Sequence, residues 1–486
     1  MTTARALVCA TVTGRDMAEL RARRDAVRGA DLVEVRLDSV GAPDVAGALE
    51  GRSLPVVVTC RHRSEGGWFA GPEERRRALL EEAFYRGAEY VDLEWACGFD
   101  ALVRSRRGRN VVLSFHDFNG CPDDLEARVD AMAALDPEIL KVAVTVRRLA
   151  ECARLAAVAA RHPGRRLVLI GMGEAGTVTR VLPGRFGSCW TYAGDGVAPG
   201  QIDLDRLLTE LRFSRIGPRT ALYGIAGRPV AHSLSPAMHN AAFDELGVDA
   251  AYIPLAAADV DDLIEGTTAF DIAGVSVTAP FKVDVMARLA SIDGEARLAG
   301  AVNTLVRRAG GWHGCNTDID GFLAGCAGIQ LRGRRVAVLG AGGAARAVAV
   351  AARRAHASVT CYGRDRARAT ALAETPGVRA DVRPVPPGSW DVLVNATPVG
   401  THPAIDQTAF PESRYDGEVA YDLVYNPPGT RFLRDAAAGG CRTIGGLGML
   451  VEQARLQIEL WTGLRPEAET MRQAAERALA RQAERA

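Results

Sequence analysis

Two primary amines stand in a chain that otherwise uses arginine for positive charge. Of the 59 lysines and arginines in 486 residues, only Lys141 and Lys282 are lysine. A guanidinium stays protonated and offers no free amine. A desolvated lysine can lose its proton, attack a carbonyl carbon or exchange a proton in a transition state. Both lysines lie in apolar segments of strand character, Glu138-Ile-Leu-Lys-Val-Ala-Val and Ser276-Val-Thr-Ala-Pro-Phe-Lys. A lysine kept only for its charge belongs on a solvated helix face, so each position reads as chemical, one in each half of the chain.

Around Lys141 the chemistry is that of a Schiff base. Burial would lower the lysine pKa and free the amine for a ketone, and the imine would acidify the neighbouring carbon. His116, ending the previous apolar run in Ser114-Phe-His-Asp-Phe, is a base one strand away. Adjacent strands lie about 4.8 Å apart, so the two meet if both point inward. Glu65, in the Gly-rich loop Arg61-His-Arg-Ser-Glu-Gly-Gly, is a third partner, and Arg36, Arg61 and Arg180 suit an anionic substrate.

Around Lys282 the chemistry is proton transfer at a carbonyl or alcohol carbon. Asp318 in Asn316-Thr-Asp is the partner, and the hydroxyls and amides of His232-Ser233-Leu-Ser235, Thr278 and Asn303 fit a polyhydroxylated substrate. Downstream, Arg335-Val-Ala-Val-Leu-Gly340-Ala-Gly342-Gly343-Ala344-Ala is a strand entering a glycine turn and an Ala-rich helix. That context marks a dinucleotide site, where backbone amides approach a pyrophosphate at a helix N-terminus. The next strand ends in Cys361-Tyr-Gly-Arg364-Asp-Arg-Ala-Arg368. Arginines there suit the 2′-phosphate of NADP, while Asp365 leaves NAD open.

The elements that must carry these groups fall into two sets, both α/β. Eight apolar runs, from Ala6–Thr13 to Ser188–Ala193, alternate with amphipathic stretches such as Pro72–Arg86 and Arg147–His162. Eight βα units in this length predict a (β/α)8 barrel with its polar residues at the C-terminal strand ends. A boundary at Arg215-Ile-Gly-Pro-Arg divides residues 1–214 from 215–486. The second part divides into a lobe over 219–320, a Rossmann lobe over about 321–445, and helices from Gly448 that return to the first lobe; the terminal helix from Glu469 is expected to fray. Zero formal net charge without a basic tract argues against nucleic acid or an anionic membrane. Ten cysteines without CxxC pairs indicate buried thiols in a reducing cytoplasm and no metal site. No apolar stretch reaches spanning length.

Together the first-half motifs resemble type I 3-dehydroquinate dehydratase: Glu34-Val-Arg, Arg61 through Glu65-Gly-Gly, Asp92-Leu-Glu, His116-Asp-Phe, Lys141-Val-Ala, Arg180 with Phe186-Gly-Ser, and Ala198-Pro-Gly-Gln201. The resemblance implies an imine between Lys141 and the C3 ketone of 3-dehydroquinate. It makes His116 the acid/base and Glu65 its orienter, and gives Glu34, Arg36, Arg61, Arg180 and Gln201 to the substrate pocket. Val197 departs from a serine common in that family. The second half resembles shikimate dehydrogenase, with Asn395-Ala-Thr397-Pro, Asp422-Leu-Val-Tyr425-Asn-Pro and Gly446-Leu-Gly-Met449-Leu-Val-Glu-Gln453 added to the motifs above. This implies Lys282 and Asp318 as the catalytic pair, with Ser233, Ser235, Thr278, Asn303, Tyr425 and Gln453 on the substrate. Gly340, Gly342, Gly343, Ala344, Arg364, Arg368, Asn395, Thr397, Gly446 and Met449 fall to NADP. Ser276 and Gly363 depart from asparagines common in that family. The domain order is that of the bifunctional plant protein: dehydration in the barrel, then NADPH-dependent reduction to shikimate. Two alternatives stand beside this reading, a catabolic fusion preferring quinate or NAD and a silent metabolite-sensing regulator.

Overall fold

In a computed structural model the chain packs as two compact units, and residues 5–194, 196–326, 328–364, 370, 372–373, 377–411 and 414–485 are described. The first unit holds the chain up to Thr220 together with Ile253–Asp271; the second holds Ala221–Tyr252 and the chain from Ile272 onward.

Eight parallel strands build the first unit: β1 (Leu7–Val12), β2 (Leu32–Arg36), β3 (Val56–Thr59), β4 (Tyr90–Glu94), β5 (Val111–Asp117), β6 (Ile139–Thr145), β7 (Arg166–Met172) and β8 (Trp190–Ala193). Each pairs with its neighbour in sequence, and β8 returns to β1. A bridge between Leu167 and Ser188 closes the circle from β7 to β8. Strands buried on both faces are near-continuous apolar runs, as their sequences are. Inside the barrel, Cys9, Leu32, Val57, Val112, Ile139, Val168 and Trp190 pack together and fill its N-terminal end. The polar residues are thereby confined to the other end.

Helix Glu73–Tyr85 follows the expected pattern, but the stretch Arg147–His162 is helical only over Cys152–Arg161. The cause is Asp262, fully buried within the same unit. Its carboxylate accepts the N–H groups of Leu149 and Ala150, both at 2.9 Å, so the chain turns there before the helix starts. This contact ties Ile253–Asp271 to the barrel.

Beyond the barrel the chain forms two further sheets. In one, β10 (Ala250–Ala256), β9 (Ala221–Gly227), β11 (Ile272–Val277), β13 (Thr304–Arg308), β14 (Gly311–Cys315) and β12 (Ser291–Ile292) lie side by side in that order. The other is all parallel, in the order β17 (Val378–Val382), β16 (Ser358–Gly363), β15 (Arg335–Leu339), β18 (Val392–Asn395), β19 (Val419–Asp422) and β20 (Arg442–Ile444). That is the 3-2-1-4-5-6 order of a dinucleotide fold, whose crevice lies at the switch point between β15 and β18.

Helix Leu447–Thr462 packs on the first of these sheets. Trp461 donates its indole N–H to the Leu305 carbonyl at 3.0 Å. The helix lies so close to helix Asp318–Gly325 that a Cβ on Gly321 would sit 2.8 Å from Gln453 Cβ and 3.0 Å from its nitrogen. The terminal helix runs from Ala468 to Arg485 with Met471, Ala474, Ala475 and Ala478 buried. An apolar stripe of this kind anchors a helix, so the expected fraying is replaced by packing. Gly321→Val is expected to destabilise the second unit by about 1–3 kcal/mol by overpacking. Calorimetry would show this as a lower melting temperature, and an unchanged one would mean that the two helices have room to part.

Candidate active sites

Strand alternation brings the first set of residues together. Ser114 pairs in register with Lys141 and His116 with Ala143, so all four face the barrel interior. Glu34, Arg36, Arg61, Glu65, His116, Lys141, Arg180 and Gln201 line one cavity at the C-terminal strand ends. Every residue predicted from the first-half motifs is therefore present around a single space.

Lys141 is held by charge on several sides. Its Nζ lies 2.9 Å from Asp92 Oδ2 and 3.5 Å from Glu34 Oε1, and 4.3 Å from the centre of the Tyr192 ring. Asp92 also takes Arg61 Nη2 at 2.8 Å and the Ser114 hydroxyl at 2.6 Å. Although burial opposes its ionisation, Arg61 and Lys141 hold the Asp92 carboxyl well below the usual carboxylate range. His116 Nδ1 lies 2.8 Å from Glu65 Oε2. Burial, with Arg61 and Lys141 adding to it, holds the imidazole well below its ordinary pKa, so it is a neutral base. Burial raises Glu65 to about 7. Once ionised, Glu65 accepts the Nδ1 proton and leaves Nε2 as the basic nitrogen.

The three arginines expected to receive an anion differ. Arg36 is spent on Asp38, with contacts of 2.9 and 2.7 Å, and Arg61 is spent on Asp92 and Glu94. Arg180 is 2% exposed, and among the described residues no carboxylate pairs with it; one Nη2 donates to the Pro199 carbonyl at 3.2 Å. Burial alone pulls its pKa down to about 10. Gln201 Oε1 accepts the Val197 and Ala198 N–H groups at 2.9 and 3.2 Å, fixing the loop over the cavity. A valine at 197 serves that backbone contact as well as a serine would.

In the second unit Lys282 Nζ lies 2.5 Å from Asp318 Oδ2. Asn303 donates to Asp318 Oδ1 at 2.8 Å and faces Gln453 Oε1 at 3.4 Å. Thr278 follows β11 and holds its end by donating its N–H to the Ala226 carbonyl. Ser233 accepts the Ser235 N–H at 3.2 Å, and Tyr425 is half-buried. Behind these lies a buried network that adds Tyr252, Ser276, Gln457 and Thr304 to the expected Asn303. The Tyr252 hydroxyl donates to Ser276 Oγ at 2.6 Å, and Ser276 donates to Gln457 Oε1 at 2.7 Å. Gln457 Nε2 donates to Thr304 Oγ1 at 3.1 Å, and Thr304 donates to Asn303 Oδ1 at 2.7 Å. Gln457 stands one helical turn after Gln453, a spacing that could have revealed it. Asp92 appears in a sequence motif, but only the fold gives it a partner.

The glycine turn after β15 fits a dinucleotide. Gly340 adopts φ +128°, and a Cβ on Gly343 would sit 2.8 Å from Lys282 Cβ. Helix Gly343–Arg354 starts there, so the helix N-terminus suited to a pyrophosphate lies beside Lys282. Arg364 is exposed just past β16, while Arg368 and Asp365 lie outside the described residues. Asn395 turns inward instead: fully buried, it donates to Asp422 at 2.8 Å and accepts from Thr397 N–H and hydroxyl. It shapes the crevice edge at β18. Gly446 and Met449 open helix Leu447–Thr462 against Leu423. Among the described residues no helix is long and apolar enough to cross a membrane, and no cluster of potential metal ligands occurs.

A parallel barrel with a lysine–histidine site, followed by a Rossmann unit with a lysine–aspartate site, defines a fused lyase and oxidoreductase. Residues 8–218 match the type I 3-dehydroquinase family, 225–305 the shikimate dehydrogenase substrate-binding domain and 446–476 the shikimate 5′-dehydrogenase C-terminal domain. The bifunctional 3-dehydroquinate dehydratase/shikimate dehydrogenase of Arabidopsis thaliana, a chloroplastic protein, is 33% identical over 473 residues, covering 90% of this chain and 78% of the relative. The NADP(+) shikimate dehydrogenase of Microcystis aeruginosa is 39% identical over 278 residues, 53% of this chain and 97% of its own. A crystal structure of a shikimate dehydrogenase with NADP+ superposes with a TM-score of 0.51 at 34% identity, covering 54% of this chain and 97% of that one. The chain belongs to the bifunctional 3-dehydroquinate dehydratase/shikimate dehydrogenase family. It unites a type I 3-dehydroquinate dehydratase with an NADP-dependent shikimate dehydrogenase of the shikimate pathway.

Glu65 generates a pH prediction. Below pH of about 7 it is protonated and no longer enforces the Nε2-basic tautomer, so kcat/KM for dehydration should fall on that side. Glu65→Gln keeps an acceptor but cannot titrate. Its rate should drop roughly 10- to 100-fold and its acid limb near neutrality should vanish; a limb that persists would belong to another group. For the other site, Gly343→Ala should push Lys282 away from its place and slow reduction while leaving dehydration at the wild-type rate. Paired assays of one preparation test this.

Proposed function

We propose that residues 1–214 carry the dehydratase and residues 215–486 the dehydrogenase, the latter with a substrate lobe over 219–320 and an NADP lobe over about 321–445. The observation that carries the barrel reading is one cavity lined by a carboxylate-paired amine, a carboxylate-oriented neutral histidine and an arginine without a counter-ion. Arg180 binds the carboxylate of 3-dehydroquinate and regains the partner its burial denies it. Lys141 attacks the C3 ketone and forms an imine. His116 Nε2 removes the C2 proton, the enamine expels the C1 hydroxyl, and the same nitrogen returns the proton to the departing oxygen as water. Glu34, Arg36, Arg61 and Gln201 complete the pocket by holding Lys141, the loops and the substrate hydroxyls.

At the second site Lys282 and Asp318 act on the oxygen of the carbonyl being reduced. Lys282 passes a proton to that oxygen as charge develops on it, and Asp318, 2.5 Å away, holds the amine in place. Ser233, Ser235, Thr278, Asn303, Tyr425 and Gln453 hold the carboxylate and hydroxyls of 3-dehydroshikimate. When bound, NADPH supplies the hydride. Gly340, Gly342, Gly343 and Ala344 receive its pyrophosphate, and Arg364 with Arg368 its 2′-phosphate. Asn395 and Thr397 keep the crevice edge at β18, while Gly446 and Met449 close the nicotinamide end. Ten free cysteines support a reducing, cytoplasmic setting.

One cuvette tests the whole reading. With 3-dehydroquinate alone, the near-ultraviolet absorbance of the conjugated enone should rise; NADPH added next should be consumed with shikimate formed. Consumption of NADH or action on quinate instead would favour the catabolic alternative, and binding without turnover would favour the regulator. Lys141→Arg should abolish dehydration and spare reduction, and Lys282→Arg should do the reverse. Normal activity of either mutant at its own site would overturn that lysine's role.

A further inference from the structure

Lys141 needs more than burial to act, because its nitrogen stays cationic through most of the cycle. Ammonium and ketone give protonated imine and water. The C–N bond forms and the C–O bond breaks. The oxygen leaves with two of the three ammonium protons, and one positive charge stays on nitrogen before and after. A carboxylate that fits the first state therefore fits the second without moving.

From this geometry we propose that Asp92 is the positioning residue of the dehydration site, a fixed counter-ion for the Lys141 nitrogen as ammonium in the free enzyme and as protonated imine with substrate bound. The proposal rests on Lys141 forming that imine. Asp92 is 1% exposed, and both of its oxygens are tied. Oδ2 contacts Lys141 at 2.9 Å and Arg61 at 2.8 Å, while Oδ1 accepts from Ser114 at 2.6 Å. Ser114 is itself fixed by Arg61 Nη1 at 2.8 Å, so a closed ring of three side chains aims one carboxylate at the amine.

Other groups facing Lys141 do not replace it. Glu34 on β2 is farther, at 3.5 Å, and takes the hydroxyls of Thr11 and Thr59. Arg61, just past β3, and His116, on β5, oppose positive charge or are neutral. Tyr192 on β8 and Cys9 on β1 stay protonated because burial raises both. Ile170 and Met172 on β7 are apolar. Asp92 is thus the nearest anion to the reacting nitrogen and the one most rigidly held.

The test uses the full-length chain with 3-dehydroquinate and borohydride, scoring adduct mass on the Lys141 peptide against pH. Shikimate dehydrogenase activity serves as a folding control. In Asp92→Asn, kcat for dehydration should fall about 100-fold or more, with KM within about threefold of wild type. The pH of half-maximal trapping should move down by about one unit or more, because the ammonium has lost its counter-ion. Ser114→Ala, which loosens Asp92 without touching Lys141, should move it in the same direction by less. A merely structural residue would lower the yield and leave the profile in place, and an unmoved Asp92→Asn profile overturns the proposal. If Asp92→Asn also loses dehydrogenase activity, the Ser114→Ala profile decides in the same way. Absence of adduct on wild-type Lys141 would instead overturn the imine reading itself.

Discussion

Inside a parallel barrel the only solvent for an ammonium ion is what the strands supply. Lys141 is 5% exposed, and its charge is balanced by Asp92 and Glu34. Burying an unpaired ion costs several kcal/mol, so that balance conditions everything around it. Asp92 in turn needs Arg61; Arg61 needs Glu94 and lies 3.9 Å from Glu65; Glu65 orients His116. The chain of partners leaves one cation over. Arg180 has no carboxylate of its own among the described residues, so this one buried guanidinium waits for an acid to enter. A substrate carboxylate meets it in a medium of low dielectric, where the attraction is strongest.

The second site solves a different problem. Lys282 is partly open, its side chain 17% exposed, and it meets a single carboxylate. What needs fixing there is the direction of hydrogen bonds. The Asn303 amide donates to Asp318 because its oxygen is already taken by Thr304 and the Thr317 N–H. Thr304 is turned toward Asn303 because Gln457 donates to it from the other side. Ser276, where the resemblance leads one to expect asparagine, belongs to this chain of contacts. Its short side chain leaves room for Tyr252 and passes a hydrogen bond on to Gln457. Local consistency is kept by a changed set of partners.

Much of this was legible before any coordinates. The eight strands, the strand ends bearing Glu34, Arg61, His116 and Lys141, and the glycine turn of the Rossmann lobe follow from period and punctuation. The reading stopped where a contact depends on distant chain. Nothing near residue 149 foretells that Asp262 will cap its turn and shorten the following helix. Arg36, Arg61 and Arg180 look alike in sequence, and only three-dimensional pairing separates the two that are neutralised from the one that is not. Asn395 stands in a motif beside the crevice, yet its side chain faces Asp422, whose carboxyl burial raises to about 6. The terminal helix looked polar enough to fray because its buried stripe is mostly alanine, a residue that carries little hydropathic signal but packs closely.

The scarcity of lysine now has a physical reading. Arg24, Arg36, Arg61 and Arg76 are buried and each makes several fixed contacts with carboxylates or carbonyls. A planar, weakly hydrated guanidinium serves such positions better than an ammonium. Lysine has no advantage there, and a sequence that has exchanged it freely elsewhere keeps it only where a group must give up protons. An imine cannot form on a guanidinium, and a guanidinium does not release a proton to a developing alkoxide at neutral pH. The two retained amines lie 2.9 and 2.5 Å from Asp92 and Asp318. Each is an ion pair in appearance, and arginine would satisfy either if charge were all that mattered. That arginine stands at neither position is the sequence's own statement that an amine able to lose its protons, and not charge alone, is what these sites use.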